Sequence, residues 1–254
     1  MTALLTYTLR QGDRALVLAQ RLLEVITHAP EIEEDMALSN LALDLIGQAR
    51  ALYTYAGEVE GPLDDGSVHD EDHFAYWREQ HEFVNPLLVE IPNGDFAQVI
   101  TRQFLHDAYA LPYWRAMTSS TDETLAAIAG KSVKETAYHL RHSRSWVLRL
   151  GDGTDESHRR VQTAVAELWR YTGELFETDA VDDELVASGV AADPAAVREE
   201  GRATVSSTLA EATLTMPDDG PMQSGGRTGR HTEQFSFLVG ELQVLARAHP
   251  GATW

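Results

Sequence analysis

The segment Leu41-Ala42-Leu43-Asp44-Leu45-Ile46 is the most apolar run in the sequence. It lies inside a helical pattern from about Glu31 to Glu58, which begins after the break at His28-Ala29-Pro30. Pro30 fits the first position of that helix, because proline has the required φ and no amide hydrogen to lose. A helix that is apolar on nearly all sides is expected at the centre of a bundle. The run therefore predicts an all-α fold built around this helix.

The rest of the chain also has apolar residues at helical spacing, without the sustained alternation of strands. The predicted helices cover about 6–27, 31–58, 74–88, 95–117, 120–150, 156–176, 182–188, 194–213 and 232–248, and the acidic segment 57–72 is predicted as a solvated loop. Asn93 or Asp95 can cap the helix that ends near Met117, and Pro112 can kink it. Helices of about 25 residues are about 38 Å long, which favours an extended bundle. No repeat or long linker divides the chain, so we predict a single helical domain over residues 1–254.

Composition and charge restrict the functions that the chain can have. Its 254 residues include 20 Lys+Arg and 40 Asp+Glu, which gives a formal net charge of −20. This charge argues against nucleic acid or an anionic membrane as a partner, because phosphate binding needs a basic face. The absence of cysteine excludes disulfides, thiolate nucleophiles and iron–sulfur clusters. Without a signal-peptide pattern or an apolar run of about 18 residues, we expect a soluble, cytoplasmic protein.

Four of the predicted helices carry polar residues on the stripes that face inward. In chain order these are Asp13, Gln20 and Glu24; Asn40, Asp44 and Gln48; Gln103 and Asp107; and Ser132, Glu135, His139 and Ser143. Burying a lone carboxylate costs several kcal/mol, so each one predicts a partner or a metal. Long helices with inward carboxylates and a histidine are typical of ferritin-like di-iron proteins. Such a site takes a Glu from each of two helices and a Glu-x-x-His motif from each of the other two.

That ligand motif is broken in this sequence. Thr136 stands three residues before His139, where the motif needs Glu, and Gly47 stands three residues after Asp44, where it needs His. The remaining nitrogen and oxygen ligands are too few to hold two irons. We therefore predict a ferritin-like helical bundle with a degenerate, metal-free di-iron site. The vestigial polar cluster of this prediction comprises Asp44, Asp107, Glu135 and His139.

Two features near the C-terminus have both a structural and a functional interpretation. Gly225-Gly226-Arg227-x-Gly229-Arg230 precedes a helix and can cradle phosphate through its amides. It lacks the Walker spacing and a preceding strand, which favours a flexible loop instead. His231-Thr232-Glu233 can bind a metal, but its position at a helix start favours a cap and a surface contact.

Several segments, taken in order, resemble a known family. They include Tyr7-Thr8-Leu9-Arg10-x-Gly12-Asp13, His28-Ala29-Pro30-Glu31, Leu43-Asp44-Leu45-Ile46-Gly47-Gln48-Ala49-Arg50, Leu88-Val89-Glu90-x-Pro92-Asn93-Gly94-x-Phe96, Lys134-Glu135-x-x-Tyr138-His139-Leu140-Arg141, Arg149-Leu150-Gly151-x-Gly153-Thr154-Asp155 and Pro250-Gly251-x-x-Trp254. Although no single segment would suffice, together they span nearly the whole chain. The sequence resembles the C subunits of the ring 1,2-phenylacetyl-CoA epoxidases, the PaaC family.

This resemblance implies a non-catalytic structural subunit of a multicomponent di-iron monooxygenase in aerobic phenylacetate degradation. The catalytic A subunit is then expected to hold the di-iron centre and to pair with this chain. A bridging B subunit and a reductase E, which uses NADPH, flavin and an iron–sulfur centre, are expected as indirect partners. No cofactor is expected on this chain, and the isolated chain is expected to be able to form a homodimer through the same face.

The resemblance also implies that this chain contacts the phenylacetyl-CoA substrate, in two short segments. These comprise Glu82, Phe83, Val84 and Asn85, and Asp183, Glu184 and Leu185. Phe83 and Asn85 also have structural interpretations, as a core residue and as a cap before Pro86. Because the chain is acidic, arginines of a partner are expected to make most phosphate contacts. Two other functions stay open here: an independent di-iron carboxylate oxygenase and a CoA-ester binding module.

Overall fold

A computed structural model describes residues 2–252. Met1, Thr253 and Trp254, the last of which closes a predicted family motif, lie outside the described residues. The α-helices are α1 Ala3–Leu23, α2 Ile32–Glu60, α3 Glu71–Tyr76, α4 Leu87–Glu90, α5 Phe96–Met117, α6 Glu123–Gly151, α7 Asp155–Trp169, α8 Ala180–Ala187, α9 Arg198–Glu211 and α10 Phe235–Ala248, and short 3-10 helices cover Gln80–Glu82, Gly173–Phe176 and Gly226–Thr228. No strand occurs between residues 2 and 252, and the predicted all-α class is confirmed.

The long helices α1, α2, α5 and α6 form the bundle, as the four polar stripes predict. Helix α1 packs along α2, α5 packs along α6, and α2 also contacts α6. Helices α7 and α9 cover α5 and α6, whereas α4 and α8 lie against α1 and α10 lies against α3. This arrangement is consistent with the predicted ferritin-like bundle. In the part of the chain that is described, no helix is both long and apolar enough to span a membrane.

Aspartate side chains cap the N-terminal ends of α5 and α6. The Asp95 carboxylate accepts the Gln98 amide at 3.1 Å, so Asp95 rather than Asn93 caps α5. Helix α5 continues through Pro112 to its end. The predicted helix start near residue 120 is confirmed at Asp122, whose carboxylate caps α6.

The central helices are α1 and α5, so the prediction that α2 is central is wrong. Every residue from Tyr7 to Ala19 on α1 is buried, and so is every residue from Val99 to Trp114 on α5. On α2, by contrast, Leu43 of the most apolar run is 61% exposed. The periodicity correctly identifies an apolar helix, but only the packing of α1 against one face of α2 decides which side is covered.

The predicted helix over 74–88 is also wrong. Helix α3 ends at Tyr76, a 3-10 turn follows, and the backbone is extended from Phe83 to Pro86 before α4. Pro86 disfavours the helical conformation in the residue before it. The Val84 amide donates to the Asp13 carboxylate at 2.8 Å instead of to a helical carbonyl. A tertiary hydrogen bond thus replaces the local helical one.

Candidate functional site

Asp107 on α5 lies fully buried at the centre of the bundle. Gln103 Nε2 donates to Asp107 Oδ1 at 2.7 Å, and Ser143 Oγ on α6 donates to Oδ2 at 3.0 Å. His106 Nδ1 lies 3.2 Å from Oδ1. Burial raises the pKa of Asp107 well above its ordinary value, although the bonds from Ser143 and Gln103 oppose this. Neutral groups therefore hold a carboxyl group whose protonated form is favoured.

Polar contacts also run along the seam between α2 and α6. His139 Nε2 lies 3.1 Å from Asp44 Oδ2, and Gln48 Nε2 donates to Glu135 Oε2 at 3.0 Å. Lys131 Nζ lies 3.3 Å from the other oxygen of Glu135. His139 is almost fully buried, whereas the Asp44 side chain is 40% exposed. Burial lowers the pKa of His139, and the hydrogen bond to Asp44 opposes that change.

The predicted polar cluster therefore separates into two parts. Asp107 bonds to Gln103 and Ser143, whereas Asp44, Glu135 and His139 lie along the α2–α6 seam. Each carboxylate is already engaged by an amide, hydroxyl, imidazole or ammonium group. Between residues 2 and 252, no three His, Cys, Asp or Glu side chains converge to hold a metal ion. This donor set does not fit a di-iron centre, and the origin of the cluster as a relic of one stays a prediction.

A second buried network ties α1 to the segment that follows α3. Arg78 Nη1 donates to Asp13 Oδ2 at 3.1 Å, and Arg78 Nη2 donates to Oδ1. Tyr53 Oη donates to Asp13 Oδ1 at 2.5 Å, and the Val84 amide donates to Oδ2. The prediction that Asp13 faces inward is confirmed. No sequence pattern indicates Arg78, because 65 residues separate the two partners.

His231 joins the region before α10 to the region around α4. Its Nδ1 lies 2.7 Å from Glu90 Oε2, and its Nε2 lies 2.8 Å from the Phe83 carbonyl oxygen. Both ring nitrogens of His231 therefore face oxygen atoms of the region around α4. The His231 side chain is only 2% exposed, so its interpretation as a surface contact is wrong. Asn85 Nδ2 donates to the same Glu90 carboxylate at 2.9 Å, which supports its structural interpretation.

The glycine-rich segment 225–230 binds a carboxylate of its own chain. Glu174 Oε1 accepts the Gly225 amide at 2.9 Å and the Arg227 amide at 3.1 Å, and Oε2 accepts the Leu87 amide at 2.7 Å. Burial raises the pKa of Glu174, although these three backbone bonds oppose the shift. The amides that could have cradled a phosphate are therefore occupied by Glu174, and the loop is anchored to the core.

The first segment implied as a substrate contact, residues 82–85, contains both exposed and buried residues. Glu82 is exposed, whereas Phe83 and Asn85 are fully buried. The Phe83 ring packs edge-on against Phe235 with 5.8 Å between centroids, as expected for a core residue. Val84 is half-buried and lines a small pocket at the surface with a volume of about 30 Å³. Val84 is therefore the member of this segment that reaches the pocket.

The second implied segment approaches the same cavity. Asp183 and Glu184 are exposed on α8, and Leu185 is buried. Asp182, the residue directly before them, lines the cavity together with Val84. The structure therefore brings the two segments to one place. On the α8 side, however, Asp182 reaches the pocket instead of Asp183, Glu184 or Leu185.

Three arginines of this chain line the pocket: Arg10, Arg14 and Arg227. Because the chain is acidic, the arginines near the substrate are expected to come mainly from a partner. Arg10 binds both oxygens of Asp179, at 3.0 and 2.5 Å, and these bonds lower the pKa of Asp179. Arg227 Nη2 lies 2.5 Å from Asp182 Oδ2. Arg14 is stacked over three aromatic rings of α5, at 5.3, 5.6 and 5.3 Å, and forms no ion pair with any residue in 2–252. Of the three arginines that line the pocket, Arg10 and Arg227 are paired with aspartates, whereas Arg14 has no carboxylate partner among residues 2–252.

Two comparisons show which known proteins this chain is similar to. The family model described as "Phenylacetic acid catabolic protein" matches residues 1–254. The C subunit of 1,2-phenylacetyl-CoA epoxidase from Escherichia coli strain K12 is 46% identical over 254 residues, which cover 100% of both chains.

Proposed function

The chain belongs to the phenylacetic acid catabolic protein family, and we propose that it is the C subunit of a 1,2-phenylacetyl-CoA epoxidase. The observation that carries this proposal is the 46% identity to an epoxidase C subunit, which extends over the full length of both chains. The match includes every helix of the bundle and both segments implied as substrate contacts. In this role the chain works in the cytoplasm, where phenylacetate is degraded as its CoA ester.

The role we propose for this subunit is structural rather than catalytic. Asp107 is held by neutral donors, and the carboxylates of the α2–α6 seam are paired with His139, Gln48 and Lys131. These groups do not form the four-helix donor set of a di-iron site. The proposal therefore assigns oxygen activation to a partner A subunit, with electrons from NADPH delivered through a reductase and with a bridging B subunit in the assembly.

We further propose that the cavity beside Val84 and Asp182 contacts the CoA part of the ester. Arg14 supports this, because it is 4% exposed, reaches the cavity and has no carboxylate partner among the described residues. A phosphate or carbonyl oxygen of the ligand would complete its hydrogen bonding. In the reconstituted complex, Arg14→Gln should raise KM for phenylacetyl-CoA with little change in kcat, whereas Arg170→Gln on the surface should change neither.

The central experiment is co-expression of this chain with a tagged A subunit from the same source. We expect the two to co-purify and turnover of phenylacetyl-CoA to require both. His139→Leu should leave turnover largely unchanged at equal assembly, because the residue has a structural role here. Loss of turnover by that variant with intact assembly would contradict the structural role.

An independent di-iron oxygenase makes a different prediction for the isolated chain. It requires stoichiometric iron after anaerobic loading and oxygen consumption without a partner. Iron below about 0.1 atom per chain is the result we expect, since two irons need a full set of ligands. A CoA-ester binding module would instead bind phenylacetyl-CoA tightly by itself, which calorimetry on the isolated chain tests directly.

A further inference from the structure

The pocket beside Val84 and Asp182 has buried polar groups in its wall that lack partners within the chain. Arg10, Gln11 and Arg14 of α1 line it, and each of the three is more than nine-tenths buried. Among the described residues, Arg10 Nε and Gln11 Oε1 have no hydrogen-bond partner. Because buried polar groups are normally satisfied, this wall indicates a ligand that offers an acceptor to the arginines and a donor to Gln11.

The pocket is too small for such a ligand in the shape that the structure shows. Its volume is about 30 Å³. That is room for about one or two water molecules, whereas a phosphate group with its oxygens is larger. A polar ligand can therefore enter only if one wall of the pocket moves.

The glycine-rich segment 225–230 supplies the wall that is best able to move. Arg227 brings this segment to the pocket, and its Nη2 pairs with Asp182 of α8. The only regular structure in the segment is the short 3-10 turn Gly226–Thr228. The residues on either side of this turn, Gly225 and Gly229, have φ values of 134° and 76°. Glycine changes between such conformations without steric strain, so both ends of the turn can act as hinges.

One carboxylate holds this segment in place. The bonds to Glu174 come from the backbone amides of Gly225 and Arg227 in the segment and of Leu87 in α4, and none of these donors is a cation. Burial raises the pKa of Glu174. At neutral pH its ionised form is therefore held against a desolvation cost, which an open and hydrated state would remove. Three hydrogen bonds favour closure, and the burial of the charge opposes it.

We propose that segment 225–230 is a lid over the pocket and that the Glu174 carboxylate is the latch that holds it shut. When the lid opens, the freed amides and Arg14 can bind an oxyanion of the ligand, and Gln11 can accept a hydrogen bond from it. A ligand that binds only the open form shifts the chain toward that form. The inference rests on the proposed function for the ligand, an acyl-CoA ester, and adds how its site is regulated.

The first test measures amide hydrogen exchange in the isolated full-length chain by mass spectrometry. Glu174→Ala removes the acceptor of the three amides, so exchange in segment 225–230 should become about tenfold faster or more. The matched control is Glu177→Ala, an exposed glutamate three residues further on, which should stay within about twofold of wild type. Unchanged exchange in Glu174→Ala, or an equal acceleration in every helix, would overturn the latch.

Two further measurements separate a lost latch from a general loss of stability. Glu174→Gln keeps the shape of the side chain but has one oxygen fewer to accept amides, so its exchange should lie between those of wild type and Glu174→Ala. Added acetate should slow exchange in folded Glu174→Ala by replacing the missing carboxylate, whereas sodium chloride at equal ionic strength should not. Wild-type exchange in Glu174→Gln, or equal effects of the two salts, would contradict the latch. Thermal melting verifies that each variant is folded.

The second test asks whether the lid controls entry of the substrate in the reconstituted complex. Glu174→Gln should lower KM for phenylacetyl-CoA about threefold or more with little change in kcat, because a lid that opens more readily reduces the cost of binding. Glu177→Gln, with the same change of charge, should leave KM within about twofold of wild type. An unchanged or higher KM in Glu174→Gln would overturn the lid. If the wild-type complex has no turnover, the proposed function fails, and the exchange measurements still decide whether Glu174 is a latch.

Discussion

Helices α1 and α2 pack along each other, yet α1 buries charged side chains whereas α2 exposes large apolar ones. Helix α1 buries four charged side chains, which are Arg10, Asp13, Arg14 and Arg21. Asp13 is compensated by Arg78, and Arg21 donates to the Glu90 carbonyl oxygen at 2.9 and 2.7 Å. Arg14 is compensated by aromatic rings instead of a carboxylate. A charged helix can therefore be central when its neighbours supply partners.

Helix α2 contains the most apolar run of the chain but lies at the surface. Leu41 and Leu45 of that run are buried, whereas Leu43 between them is exposed. Burial thus follows the position of a helix among its neighbours rather than its own polarity.

The largest expected effect comes from breaking a buried ion pair of α1. Asp13→Leu leaves the Arg78 cation buried without its carboxylate, and we expect the free energy of unfolding to fall by about 3–5 kcal/mol. Urea denaturation of the isolated chain measures this. The double variant Asp13→Leu, Arg78→Met removes both charges and should recover much of the loss. If Asp13→Leu lowers the free energy of unfolding by less than about 1 kcal/mol, the Asp13–Arg78 pair does not account for the burial of charged residues on α1.

A matched pair of leucines within α2 comes next. Leu45→Ala opens a cavity in the core and should reduce the free energy of unfolding by about 2–5 kcal/mol. Leu43→Ala removes the same atoms from an exposed site and should change it by less than about 0.5 kcal/mol. Urea denaturation of both variants under one condition compares them directly. Equal costs would mean that the isolated chain, as a monomer or homodimer, already covers the outer face of α2.

The buried carboxyl group of α5 offers a smaller, pH-dependent effect. The pKa of Asp107 is raised by burial, so the folded state binds its proton more tightly than the unfolded state, where the pKa is about 3.9. Stability from this group is present below that value and is lost as the pH rises toward the folded pKa. Asp107→Asn should therefore stabilise the chain by about 1–3 kcal/mol at about pH 7.5, and the gain should shrink toward about pH 3.5. Denaturation curves across this pH range, with Glu199→Gln as an exposed control, test the sign.

The smallest effect is expected for an exposed ion pair on the α2–α6 side. Lys131 is 67% exposed where it meets Glu135, and solvent screens such pairs. Lys131→Gln should change the free energy of unfolding of the isolated chain by less than about 0.5 kcal/mol. Urea denaturation measures this change. A larger loss would show that the Lys131–Glu135 pair stabilises this chain despite its exposure.

Sequence patterns were sufficient to predict most of the helices and the four bundle members. Polar residues at helical spacing identified the inward faces that carry Asp13, Asp107 and His139, all of which are buried. The same stripes wrongly placed Glu24 and Asn40 inward, because both are exposed. The patterns failed at 74–88, because apolar spacing there comes from an extended segment held by a hydrogen bond to Asp13. They also failed at His231, whose partner Glu90 lies 141 residues away.

Local periodicity and motifs in order were enough to establish the all-α class, the extent of the long helices and the family. The packed structure was needed to show that α1 is central and α2 peripheral, that Asp13 pairs with Arg78, and that Glu174 fills the amides of the glycine-rich loop. The two kinds of information differ because the pattern of a helix specifies only which of its own faces are apolar or charged. Burial and charge compensation depend on groups that approach only when distant segments pack together.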